Sequence, residues 1–544
     1  MPADTRSAGR IGILLPCASI GFLIFYLLKP TALLIAGAVV AFVFLAMFIR
    51  WPETGTLTAI FLLYTNIAVL AMRPALGDDG AGGPRTVVAL AALWLIMGGT
   101  LAYQVLVRKQ TLVIDRGFML MLAFLAAVLI SALFARDSQL IGKYVGDYLI
   151  EGVTLYFLVI NVIRGYATLR RVTWVLLLAG VLMSSFSVLQ KVTHTEDNTY
   201  GGFAQLDRGP EHSRAEQETI QRQRAAHAVG SGGELVGEAR SGGPVNASNE
   251  YAGILIVLLP LAVMRFRTEK SRALRAMALL AAGLIFAALL LTLSRGTLLA
   301  AVAVVMLMTF AGLIKTRQLL VAVGAAALLI VVFQPTVITR MLTLGRIHSL
   351  FSGQDESGKT PDSSVVLRYE LDVAAWRVFL DHPLLGVGPN QFATYYSINY
   401  VNRVGLQPLE KGYQAHNLYF QALAETGVIG FTCFVSIMAT IMWGLWKARR
   451  RVARNQTELS LTAAGFFFSL TALSLFSIFS HLIDQRYFWL MFALSSAATR
   501  IILNRSGELS AESLSTAGTA SFAWTQPGEA DGLPDLGGPQ ASEW

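Results

Sequence analysis

Three side chains in this sequence have the chemistry to handle a phosphorylated or hydroxylated ligand. His416 lies in "KGYQAHNLYFQALAETGVIGF" (411–431), where a polar stretch gives way to an apolar helical pattern. An imidazole titrates near neutrality, so at such a border it can accept a proton from a hydroxyl or serve only as a hydrogen-bonded interfacial group. Arg295 lies in "LLTLSRGTLLAAVAVVMLM", between two apolar runs. A guanidinium beside hydrocarbon faces a cavity or an anion, or else it snorkels to the lipid headgroups. Its small neighbours Ser294, Gly296 and Thr297 leave room for a ligand. Arg368 belongs to a helical pattern that also carries Arg377, nine residues on. That spacing puts the two about half a turn apart, so only one can face a site on a continuous helix. Asp372 and Asp381 each follow one of these arginines by four positions, and a solvated ion pair is the alternative use of either.

Further candidates surround these three. Asn417 and Gln421 share a face with His416 if the helix starts early, while Glu425 falls on the opposite face. Asn249, in "NASNEYAGILIVLLPLA", can meet a sugar hydroxyl or cap a helix. Gly386 and Gly388, in "PLLGVGPNQF", allow a tight turn that brings backbone amides close to a small ligand. Together with Asn417 they are candidate glycan or acceptor contacts. "GQDESGKT", from Gly353 to Thr360, fits the phosphate-loop pattern, which needs a buried strand before it and a helix starting at the lysine. Here the strand signal is weak, Pro361 follows at once, and Asp355 and Glu356 repel phosphate, so the match is set aside. There is no H-E-x-x-H pattern, and the only cysteines, Cys17 and Cys433, fall in apolar runs. Neither a metal, a cofactor nor a disulfide framework is expected.

The elements that must hold these residues follow from composition. Of 544 residues 54% are hydrophobic and 14% charged, so lipid has to be the solvent for most of the chain. Apolar runs of about 20 residues recur about 14 times. The expected fold is therefore all-α: a polytopic integral membrane protein with about 14 transmembrane helices and a large, partly helical external loop. The net charge of +9 is dispersed in short basic clusters between the runs, such as Arg265 to Arg275 and Lys447 to Arg454. That is the pattern of cytoplasmic loops, not of a nucleic-acid surface, and it places both termini in the cytoplasm. The first run follows Arg6 and Arg10 without a clear cleavage site and reads as a retained helix.

The chain then divides into 1–190, N-terminal transmembrane helices; 191–250, an external loop whose ends pack and whose middle is flexible; and 251–334, central transmembrane helices. Next come 335–417, the large external loop, and 418–505, the C-terminal transmembrane helices. The last part, 506–544, reads as a disordered cytoplasmic tail. Within the large loop Tyr369, Val373, Trp376 and Leu380 recur at helical spacing, an apolar stripe suited to a helix lying along the membrane.

The segment "LRYELDVAAWRVFLDHPLLGVGPNQF", followed after a loop by "AHNLYFQALAETGVIGF", resembles the signature region of the O-antigen ligase and polymerase superfamily of bacterial envelope glycosyltransferases. "SNEYAGILIVLLPLA" and "LTLSRG" look like that family's other recurrent pieces, so the resemblance by motif spans roughly 245–435. It implies transfer of a glycan from a polyprenyl-diphosphate carrier to an acceptor hydroxyl, with inversion, at the periplasmic face of the bacterial inner membrane and without a metal. By the same resemblance Arg295 and Arg368 hold the diphosphate, and His416 orients or deprotonates the acceptor. The implied partners are the lipid-linked donor, a saccharide, lipid A core or protein acceptor, and the bilayer, with other polysaccharide-assembly proteins as candidates. Ligase and polymerase stay equally open, as does protein O-oligosaccharyl transfer. A polysaccharide flippase or a non-catalytic assembly subunit are the alternatives outside the enzyme class; a transporter would carry ionisable residues deep in its spans.

Overall fold

In hydrocarbon every backbone N–H and C=O must find a partner within the protein, and an apolar chain meets that condition by forming helices. The computed structural model describes residues 52–71, 84–207, 240–333, 363–399, 414–452, 456–483 and 485–523. In chain order these form α1 (Pro52–Thr65), α2 (Pro84–Ala102), α3 (Arg116–Ala132), α4 (Ser138–Asp147), α5 (Leu155–Val162) and α6 (Tyr166–Val192). Two short strands, β1 (Gln205–Asp207) and β2 (Arg240–Gly243), precede α7 (Ser248–Ile256), α8 (Leu258–Thr268), α9 (Arg272–Leu291), α10 (Arg295–Phe310) and α11 (Thr316–Phe333). After them come α12 (Ser363–Asp381), α13 (Phe392–Asn399), α14 (Leu418–Arg451), α15 (Thr457–Phe476) and α16 (Arg486–Ala523).

Among the described residues seven helices are long and apolar enough to cross a membrane: Ala89–Val107, Ser138–Val162, Tyr166–Val192, Ser248–Thr268, Arg272–Leu291, Leu418–Arg451 and Thr457–Phe476. Arg116–Ala132, Arg295–Phe310 and Thr316–Val331 are apolar but shorter. The expectation of about 14 spans is thus not reached among the described residues. Counting apolar runs overlooks breaks such as the one after α1, where Asn66 has φ 59°. The runs expected before residue 52 lie outside the described residues, as do Gly353–Thr360, 208–239 and 524–544. α16 continues to Ala523, so 506–523 is helical where the polar composition suggested a disordered tail. Its alanines, leucine and glutamates are adequate helix formers.

The core lies among α3, α8, α14, α15 and α16. Phe434 of α14 meets Phe124 of α3 at 5.9 Å between ring centroids and Phe488 of α16 at 6.1 Å. Two buried polar networks staple the bundle. Near the basic loops Glu269 accepts hydrogen bonds from Arg170, Trp174 Nε1 (3.0 Å) and Arg265 Nη1 (3.3 Å). Elsewhere Arg486 bonds Glu151 through its backbone N–H (3.1 Å) and Nη1 (3.4 Å), and also bonds Asn66. Asn66 Nδ2 in turn donates to the Pro244 carbonyl at 3.0 Å, which ties the residue after β2 to the bundle. Arg265 with Glu269, and Arg486 with Glu151, are therefore spent on each other.

α14 is interrupted at Gly427, with φ 62° and ψ −169°. The backbone groups around the break pair with 383–388. The N–H groups of Val387 and Gly388 donate to the Ala424 and Glu425 carbonyls, both at 3.0 Å, while Val428 N–H donates to the Pro383 carbonyl at 2.8 Å and Ile429 N–H to Leu384 at 3.3 Å. A Cβ on Gly427 would collide with the Leu384 carbonyl, and one on Gly386, φ 70°, with that of Glu425. Both positions need glycine for backbone conformation and for close approach. The Glu425 carboxylate, buried within this joint, accepts from the Asn390 N–H (3.0 Å) and Phe392 N–H (3.4 Å).

Gly427→Ala should lose about 2 kcal/mol or more, since positive φ and a backbone collision act together. The expected result is a fall of several degrees in the unfolding midpoint of the detergent-purified protein, with Gly283→Ala in α9, where an added Cβ meets nothing within 4 Å, as the comparison inside regular helix.

Candidate active site

The lock at Gly427 fixes the angle between α12 and the start of α14, and His416 sits at that junction. α14 begins at Leu418 with Asn417 as its cap: Asn417 Oδ1 accepts from the N–H groups of Tyr419 (3.1 Å) and Phe420 (3.3 Å). His416 therefore precedes the helix and does not share a helical face with Gln421. The Leu418 N–H donates to the Ser477 carbonyl at 2.9 Å, anchoring this entry to the end of α15. The segment that follows α15 carries His481, whose ring centroid lies 5.8 Å from that of His416.

α12 turns Leu371, Ala374, Ala375 and Val378 inward, to form a small core with Val387, Phe392, Tyr396 and Ala424. The stripe expected from the sequence, Tyr369, Trp376 and Leu380, is exposed on the opposite side. Helix geometry then separates the two arginines. Arg377 is exposed, whereas Arg368 is half-buried and near enough to both His416 and Asp372 to shift their proton affinities. Asn417 also lies near enough to the Asp372 carboxyl to lower its proton affinity, so α12 closely approaches the cap of α14. Burial pushes the Asp372 carboxyl up to about 6, against the opposing effects of Asn417 and Arg368. Asp372 Oδ1 is buried with no hydrogen-bond partner among the described residues.

Arg240, which the sequence reading did not single out, joins this group from β2. β1 and β2 pair antiparallel with Leu206 opposite Ser241 and Asp207 opposite Arg240. The ladder is pinned by Asp207 Oδ2, which accepts from Ser248 N–H (3.0 Å) and Oγ (2.6 Å), and by the hydrogen bond between Ser241 and Ser187 at 3.1 Å. Arg240 Nε donates to the Thr292 carbonyl and Nη2 to Asn249 Oδ1, each at 3.0 Å. Asn249 is thus an orienting partner for a guanidinium; the cap position of α7 belongs to Ala247. Thr292 lies in the link between α9 and α10, three residues before Arg295, the half-buried first residue of α10. Next to it Gly296 packs so closely on Phe479 that a Cβ would collide with that ring, so the start of α10 abuts the segment bearing His481.

Five separated stretches therefore meet at one end of the bundle: β2, the start of α10, α12, the cap of α14 and the segment after α15. At their centre is His416. Burial, then Arg368, His481 and Arg240, hold its imidazole down to about 3, so it is neutral across the ordinary pH range. Gly386 and Gly388 lie at the α14 break, with their N–H groups already donating to the His382 and Glu425 carbonyls. Among the described residues no group of three or more His, Cys, Asp or Glu side chains gathers as a metal site would require.

Residues 280–435 match the family described as O-antigen ligase, which supports the likeness of this region to the O-antigen ligase and polymerase superfamily. The match includes Arg295, Arg368 and His416, while Arg240 and His481 lie outside it. No curated protein matches the chain. The family points to glycan transfer of the O-antigen ligase or polymerase type, and the apolar helices to a multi-pass membrane protein.

The proton affinities set an expectation for pH dependence. Asp372 loses its charge as pH falls through about 6, and with it goes its attraction for Arg368, whereas His416 stays neutral until about 3. kcat/KM, which reports the free enzyme, should therefore decline below about pH 6. Asp372→Asn should flatten that acid limb while His416 is still present; a limb that is unchanged in this variant would assign it to another group.

Proposed function

We propose that the protein transfers a glycan from a polyprenyl-diphosphate carrier to an acceptor hydroxyl at the periplasmic face of the bacterial inner membrane, as a surface-polysaccharide ligase or polymerase. The observation that supports this reading best is the convergence of a neutral imidazole with guanidinium groups from distant elements, within a region of ligase type. Arg295 and Arg368 bind the diphosphate: guanidinium groups are permanently charged and offer paired donors to phosphate oxygens. His416 takes the acceptor.

The step is one displacement. The acceptor oxygen forms a bond to the anomeric carbon as the bond from that carbon to the diphosphate oxygen breaks, and the electron pair leaves with the diphosphate. The hydroxyl proton passes to His416, which can accept it because it starts neutral. The guanidinium groups stabilise the charge that grows on the departing oxygen, and alignment in a restricted cleft supplies further acceleration. The exposed face of α12, bearing Trp376 and Leu380, lies against the outer leaflet and keeps the site within reach of a lipid-anchored donor.

The charges buried elsewhere weigh against a transporter, because Glu151 with Arg486 and Glu269 with Arg265 are mutually bonded and hold helices together. Reconstitution with a lipid-diphosphate oligosaccharide and candidate acceptors, followed by product sizing, tests the reading: a ladder marks a polymerase and a single addition a ligase. His416→Ala should lower transfer by about 100-fold or more at unchanged membrane insertion. Arg368→Ala and Arg295→Ala should raise the donor KM by about 10-fold or more. Full transfer by the His416 variant would remove the imidazole from the chemistry.

A further inference from the structure

We propose that the basic end of the bundle binds one anionic phospholipid, whose phosphate meets Arg267 and Arg449 and whose acyl chain enters an apolar slot between α8, α10 and α15. Arg449 lies in the last turn of α14, whereas His416 precedes the first, so this site is separate from the one above. It does not depend on glycan transfer.

The link from α10 to α11 closes on itself. At Gly312, φ 71°, the N–H donates to the Thr309 carbonyl, and the Leu313 N–H donates to Met308, each at 2.9 Å. This pair of bonds ends a helix at a left-handed glycine without help from side chains. Two arginines from other helices nevertheless reach the same turn: Arg267 Nη1 of α8 donates to the Leu313 carbonyl, and Arg449 Nη2 of α14 to Ala311 at 3.5 Å. Arginines that only snorkelled would extend into water instead of converging on one turn. A guanidinium has five N–H donors, and the described residues accept from one on each of these. Among the described residues no ion pair includes Arg267 or Arg449, nor the exposed Lys315, Arg317, Lys447 and Arg450 that flank the turn and Arg449 in sequence. Of the carboxylates on adjoining turns, Glu269 is bonded to Arg170 and Arg265, and Glu458 accepts from Tyr166.

Arg267 is also the one polar side chain lining a narrow slot whose other walls include Val263, Met308, Leu313, Leu461 and Gly465. Gly465 lets α8 and α15 approach closely, since a Cβ there would come within 2.9 Å of Met264. A guanidinium beside an apolar slot matches a hydrocarbon chain that carries an anion at its end. Nearby aromatic rings mark the depth. Trp443 of α14 is exposed, and the Trp446 ring lies 4.9 Å from the Arg450 guanidinium and 5.9 Å from that of Arg449. Indoles beside basic residues at a helix end sit at the level of the lipid headgroups. Charge then selects the lipid: a zwitterionic headgroup brings its own cation into this field, whereas an anionic one does not.

Native mass spectrometry of the detergent-purified full chain, titrated with dioleoylphosphatidylglycerol, dioleoylphosphatidylcholine or glycerol 3-phosphate, tests the site. Wild-type protein should bind one phosphatidylglycerol about 10-fold or more tightly than phosphatidylcholine, since each basic side chain near a headgroup contributes about fivefold. Glycerol 3-phosphate should not compete at the same concentration. Arg267→Gln combined with Arg449→Gln should reduce the preference to about twofold or less. Arg108→Gln combined with Lys109→Gln, an equal loss of charge at another connection, should leave it unchanged. Val263→Phe, which fills the slot, should weaken both lipids alike. If the double arginine variant is not monodisperse, Arg449→Gln alone, with an expected loss of about fivefold, and Val263→Phe carry the decision. An unchanged preference in the arginine variants, or an equal loss in both double variants, would overturn the site in favour of a diffuse charge effect. Competition by glycerol 3-phosphate, or unchanged lipid affinity in Val263→Phe, would overturn the lipid as its occupant.

Discussion

The site depends on the residue that opens α14. Asn417 closes the first turn of that helix with its side-chain oxygen and lies beside Asp372 of α12. A helix cap is ordinarily a local matter, satisfying N–H groups that have no partner within the helix. Here the cap also sets the separation between the helix that carries Arg368 and the turn that carries His416. The arrangement would be soft if α14 were free to bend at Gly427. The backbone pairing of 383–388 across that break removes the freedom, and the Glu425 carboxylate holds the following turn by its N–H groups.

Charge placement follows a consistent division. In the bundle Glu269 is bonded to Arg170 and Arg265, and Glu151 to Arg486, where an unpaired charge would cost several kcal/mol. At the junction of β2, α10, α12 and α14, Arg240 and Arg368 act on one imidazole, with Asp372 near Arg368 and Asp207 opposite Arg240 in the ladder. An imidazole in such a field remains neutral and is a weak base until an anion arrives. In the proposed reaction the donor's charge opposes the field of the arginines and so strengthens the base, which links binding to proton transfer by Coulomb's law.

Several features of this site were legible in the chain. The half-turn between Arg368 and Arg377 required that only one face the site, and burial assigns that place to Arg368. His416 was marked by its position at the edge of an apolar run. His481 carried a comparable signal, a polar cluster "SHLIDQR" between two apolar runs, and was passed over because nothing local relates it to His416. Arg240 offered less, since a strand of four residues is too short for alternation to register. Gly386 and Gly388 were read as a turn for a ligand, and their tight conformation is real, but it accommodates the backbone of α14.

The amino-acid sequence alone determined that this chain is apolar and helical, with its basic residues in short clusters between apolar runs, because hydropathy and charge act through near neighbours along the chain. It also marked Arg295, Arg368 and His416 as the residues with suitable chemistry. Only the tertiary structure decided that Arg368 lies near His416 at one end of the bundle, that Arg240 and His481 stand with them, and that the glycine turn locks a broken helix. Those outcomes depend on distances between residues tens to hundreds of positions apart, which packing sets and local periodicity does not encode.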